Sequence, residues 1–124
     1  MSLPDFNLSE IEDYRNKSEI IRLTAEQVIK DFALFGMEIH FSGNLITAYD
    51  ELFEQLNSCM VELLSSDYRR LLSLLYHIDI SEKEMNKKFA NVAADHSEIM
   101  TELILERELK KVIIRKFYKG EGIP

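Results

Sequence analysis

The 124-residue chain has no tryptophan, one cysteine, two prolines and four glycines, and each shortage excludes something. A single cysteine, Cys59, rules out an intrachain disulfide and suits a reducing compartment. Four glycines leave little material for a glycine-rich phosphate loop. Neither that motif, nor a G-x-S-x-G elbow, nor a zinc-ligand spacing occurs. Apolar runs are short and broken by charge, far from the ~20 mostly apolar residues that cross a bilayer. The start, Met1-Ser2-Leu3-Pro4-Asp5, has neither the basic cluster nor the apolar stretch of a secretory signal. A cytoplasmic protein that contacts no membrane is the expectation.

The placement of glycine and proline says most about the fold. From Asn44 to Lys119 there is neither. These residues disfavour helix interiors, by ~1 and ~3 kcal/mol relative to alanine, and they mark turns. A long stretch without them predicts helices joined by short polar turns. The expected fold class is therefore all-α: one domain, a bundle of four to five helices over residues 18–119. A partly ordered arm over 1–17 and a flexible tail over 120–124 flank it.

Periodicity places the helices. The first is expected from Ser18 to Phe35, with Ile21, Ala25, Val28, Phe32 and Phe35 on one stripe and Gly36 as its stop. A second, Leu45 to Leu64, carries Tyr49, Leu52, Phe53, Leu56, Met60 and Leu63 at helical spacing. Ser65-Ser66-Asp67 separates it from a leucine-rich third helix ending at Ile78. Ser81 with Glu84 has capping-box spacing and opens a fourth. Asp95 with Glu98 predicts a break before the last helix, Ser97 to Tyr118. Between the first two helices, Met37-Glu38-Ile39-His40-Phe41 alternates apolar and polar residues with the period of a strand, ahead of a Ser42-Gly43-Asn44 turn. A lone strand has no ladder partner. The segment is either an extended connector laid on the bundle or a strand that pairs with a second chain.

Fifteen basic and 22 acidic residues give a net charge of −7. Lys110, Lys111, Arg115, Lys116 and Lys119 form one basic segment in an otherwise acidic chain. That distribution disfavours general nucleic-acid binding. Basic residues at the C-terminal end of a helix also complement its dipole.

Few constellations suggest chemistry. His40, His77 and His96 share no i, i+3 or i+4 spacing, and no Glu-x-x-His occurs, so the di-iron bundle pattern is missing. Cys59 sits beside an apolar stripe, where a thiol is usually inert. The last helix is the most unusual segment. Glu106, Arg107 and Lys110 project from or beside its apolar stripe and form a candidate polar network. It is also apolar nearly all round, as expected of a central helix or one held at a subunit contact. With the third helix it supplies the candidate interface residues Leu72, Tyr76, Ile104, Leu105 and Val112. These readings favour a non-enzymatic protein–protein interaction or adaptor module that acts as a homo-oligomer, a dimer first, with no cofactor. The alternatives are a small helical enzyme or metal-binding bundle using Glu106, Arg107 and a histidine, and a nucleic-acid contact through residues 110–119.

Overall fold

The computed structural model describes residues 14–90 and 95–119. Among these residues it contains five helices: α1 Tyr14–Ala33, α2 Ala48–Ser66, α3 Tyr68–Ile78, α4 Glu82–Ala90 and α5 His96–Lys119. Among the described residues there is no strand, and the chain is an all-α bundle. Helix α1 begins before the expected Ser18, so Tyr14 to Lys17 are helical. The arm before Tyr14 and the tail after Lys119 lie outside the described residues.

Local chemistry explains the helix ends. Gly36 takes a φ of 80°, and the pair Gly36 N–H to Ala33 O (3.0 Å) and Met37 N–H to Phe32 O (3.0 Å) closes α1 in a Schellman motif. The same motif closes α3, with Asp79 in the left-handed position at φ 72°. Ile80 N–H bonds Leu75 O at 2.8 Å, and both side chains are buried. Helices α3, α4 and α5 each have a side-chain oxygen at their start, whereas Thr47 before α2 makes no such bond. Asp67 Oδ1 accepts from Arg70 N–H at 3.2 Å, Ser81 Oγ from Glu84 N–H at 3.0 Å and Asp95 Oδ1 from Ser97 N–H at 2.9 Å. The Glu84 carboxylate does not return to close the capping box. It pairs with Arg107 of α5 and ties α4 to that helix.

Helix α5 is the central element and packs against all four others. It buries Met100, Leu103, Ile104, Leu105, Val112 and Ile113. Two cores form along it. The larger joins Ala25, Val28 and Phe32 of α1, Leu52, Leu56 and Met60 of α2, the leucines of α3, and Met85 of α4. A smaller one holds Ile20 against Val112 and Ile113. Contacts of Glu19 with Lys116, and Ile20 with Val112, pair the start of α1 with the end of α5. Asp31 with Glu108 continues the register, so the two helices run antiparallel.

The segment 37–41 is a connector. Ile39 is 3% exposed and enters the core, while Met37 and Phe41 are only partly covered. Its backbone finds a substitute for a neighbouring strand in one side chain of α2. Gln55 Oε1 accepts from His40 N–H at 2.9 Å, and Gln55 Nε2 donates to His40 O at 2.7 Å. Just beyond, Glu51 accepts from Ser42 N–H (2.9 Å), Ser42 Oγ (2.6 Å) and Thr47 Oγ1 (2.6 Å), which fixes the turn to the start of α2. Those bonds hold the Glu51 carboxyl below its usual pKa.

Candidate functional site

Two features of the bundle go beyond packing. One is a pair of acids inside it, and the other is an apolar cleft on its surface.

Ile20, Thr24, Gln27 and Asp31 follow one line along α1, and Thr101, Ile104, Glu108 and Val112 follow one along α5. Where the lines meet, Asp31 (2% exposed) and Glu108 (0%) face each other inside the bundle. Buried polar groups need partners. Thr24 and Thr101 find theirs on their own helices, donating to Ile20 O at 2.7 Å and Ser97 O at 2.8 Å. The acids are only half provided for. Asp31 Oδ1 accepts from Gln27 Nε2 at 3.0 Å and lies 3.1 Å from His77 Nε2. A carboxylate only accepts, so this contact assigns the proton of the His77 ring to Nε2. No donor among the described residues reaches Asp31 Oδ2 or either oxygen of Glu108.

A proton on Glu108 resolves most of this. Burial, then a hydrogen bond to Asp31 and the negative charge of Asp31, push the Glu108 carboxyl up to about 9, with Lys111 and Arg115 opposing weakly. Protonated at neutral pH, it donates to the Asp31 carboxylate. Burial pushes Asp31 up as well, but hydrogen bonds from Glu108, Gln27 and His77, and the charge of His77, hold it below its usual value. Two adjacent acids thus share one proton. A chain of contacts leads outward from them. Arg115 Nη2 donates to Gln27 Oε1 at 3.2 Å on one side, and His77, 40% exposed at its side chain, reaches solvent on the other.

The cleft has a volume of about 380 Å³. Ile21 and Thr24 of α1, Leu105 and Leu109 of α5, Ala48, Tyr49 and Leu52 of α2, and Leu45 and Ile46 before α2 form its walls. Glu102 and Glu106 stand at its α5 side. At its lip Ile46 is 90% exposed and Tyr49 57%. Burial and the charges of Glu102 and Asp50 raise the Tyr49 phenol above its usual pKa, a sign of the negative field there. An open acidic groove continues from the cleft, sharing Tyr49 and Glu102 and adding Asp50, Phe53 and Glu54.

The residues singled out by sequence are placed differently. Glu106 and Lys110 pair at 3.2 Å on the surface. Arg107 turns away from them, to the Glu84 carboxylate and the carbonyl of Asp79, so the three do not form one network. Ile104, Leu105 and Val112 are covered by the chain's own helices, whereas Tyr76 is exposed and Leu72 half-buried. The apolar surface of α5 is used inside, since the helix is central. Of the histidines, His96 stacks on Phe89 with ring centroids 3.9 Å apart, His40 is exposed, and His77 meets Asp31. Neither Glu106 nor Arg107 meets a histidine. Among the described residues no group of three metal-binding side chains gathers. Burial, then Glu62, pushes the Cys59 thiol up, against a smaller opposing effect of Arg70. It is a poor nucleophile there.

Sequence reasoning missed Glu108 and Asp31. The available signal for Glu108 was its spacing, four residues after Ile104 and four before Val112. Leu45 and Ile46 were expected inside the second helix, but α2 begins only at Ala48, and their place before it, at the cleft, is not marked by any spacing. No family model matches the chain, and neither a curated protein nor a solved structure matches it.

Proposed function

We propose that this chain is a non-enzymatic interaction module that receives apolar side chains of a partner in the cleft between α1, α2 and α5. One observation carries the reading: an open apolar cleft whose lip leaves Ile46 90% exposed. Ile46 costs stability nothing where it stands and gains only when something covers it. A cleft of about 380 Å³ is at the small end of the 300–1,000 Å³ range of ligand pockets, enough for a few side chains. The acid pair supports this non-catalytic reading, because Asp31 and Glu108 are buried and neither lines the cleft. Contact with nucleic acid through residues 110–119 has less support. Lys110, Lys111 and Lys116 already face Glu106, Asp79 and Glu19, and Arg115 bonds Gln27.

The test is a photo-crosslinking residue placed at Ile46 in the native cell. The expected result is a discrete adduct that the same residue at Glu82, on α4, does not give. A crosslink pattern indifferent to position would remove the reading. A homodimer through α3 is a second reading, favoured by Tyr76, which is 84% exposed beside Leu72.

A further inference from the structure

Resting on that reading, we infer that the occupant of the cleft is a basic amphipathic helix of another protein, with its apolar anchors in the cleft and its lysines or arginines over the acidic groove. The argument is the continuity of two surfaces of different character. The cleft is apolar, and its two charged wall residues, Glu102 and Glu106, are both acidic. The groove that continues from it past Tyr49 and Glu102 adds Asp50 and Glu54 and no cation. Glu106 is already half neutralised by Lys110, but Glu102 has no ion pair among the described residues. An uncharged apolar ligand would leave that negative field unused, and an acidic one would be repelled by it. A helix laid in the groove presents side chains at i, i+3, i+4 and i+7 on one face and a cationic stripe beside it, which matches a cleft bordered by acids along one side. The segment 110–119 of a second copy is a poor occupant, since Lys110, Lys111 and Lys116 are paired on their own chain and Arg115 bonds Gln27.

The experiment uses the full chain and two synthetic helical peptides with the same leucine face, one with lysines and one with glutamates on the other face. Binding is read by fluorescence anisotropy at low and at physiological salt. An uncharged solvatochromic dye reports on the cleft itself. The lysine peptide should bind, more weakly as salt screens the contact, and the glutamate peptide should not. Asp50→Asn with Glu54→Gln should weaken the lysine peptide by on the order of 2- to 30-fold, as expected for two exposed ion pairs, and leave dye binding unchanged in the cleft, which neither residue lines. Glu82→Gln with Glu26→Gln, which removes the same charge elsewhere, should do nothing. The proposal is overturned if the two peptides bind alike, or if both double variants weaken the lysine peptide equally, since the attraction is then only that of net charge. It is also overturned if the free protein is a dimer that Ile46→Asp dissociates, which makes a second copy the occupant. If neither peptide nor dye binds, the docking reading itself falls, a result distinct from a failure of charge preference alone.

Discussion

Over much of the pH range the native chain holds a proton on Glu108 that the unfolded chain has released. The carboxyl sits at about 9 in the fold against a usual 4.5, so its contribution to stability is complete below 4.5 and is lost as pH rises towards 9. Asp31 has the opposite sign. Its value is lowered in the fold, so its contribution is present above 3.8 and is lost as pH falls below that. Together they predict a stability that declines through neutral pH, by up to ~1.4 kcal/mol per pH unit from Glu108 alone. Glu108→Gln keeps the shape, donates an N–H to Asp31 and cannot ionise. Denaturant midpoints at pH 5, 7 and 9 should therefore show the variant gaining on the parent with each step and exceeding it at pH 9. Parallel curves would mean that Glu108 is ionised and solvated at neutral pH.

At the scale of the element, the connector between α1 and α2 shows how a strand-like sequence is held without a sheet. Gln55 makes both hydrogen bonds that a neighbouring strand would have made to His40. Gln55→Ala should cost about 1–3 kcal/mol, from two bonds at ~0.5–1.5 kcal/mol each. Ile39→Ala, at a buried site, should cost about 2–5 kcal/mol, and Phe41→Ala less, because Phe41 is only partly covered. The two left-handed glycines separate strain from crowding. A β-carbon at Gly43 (φ 94°) meets nothing within 4 Å, whereas one at Gly36 (φ 80°) meets Arg70 Nη2 at 2.8 Å and disturbs the guanidinium that caps Phe35 O. Gly43→Ala should cost ~1 kcal/mol and Gly36→Ala more, as read by urea unfolding. Equal losses would show that Arg70 contributes nothing there. The alternation at 37–41 was legible because side chains obey the pleat whether or not a sheet exists. Its partner was not, because a glutamine on the second helix carries no mark that it will serve a backbone.

Across the whole molecule, the helix number, their order and most of their caps were legible. Those features depend on spacing within one segment: the Gly- and Pro-free run, Ser81 with Glu84, Asp95 with Glu98. What was not legible depends on which segments meet. The sequence leaves a central and an interfacial α5 equally open, since both want apolar residues all round. The structure makes it central, and Ile104, Leu105 and Val112 are spent on the chain's own core. The acid pair was hidden for the same reason, as it joins residues from the first and last helices. A central α5 also makes a prediction. A chain ending at Asp95 should lose its cooperative thermal transition and most of its helical far-UV dichroism, because α1 and α2 then keep few contacts. A sharp transition in that fragment would show that α1 to α3 have a core of their own. The ribosome meets the same situation in every round of synthesis. Four helices emerge with their apolar faces made and only part of them covered by one another, until the strip that unites them is translated. For that interval the nascent chain exposes apolar surface of the kind that aggregates, and the time taken to synthesise and release the last helix sets how long the exposure lasts.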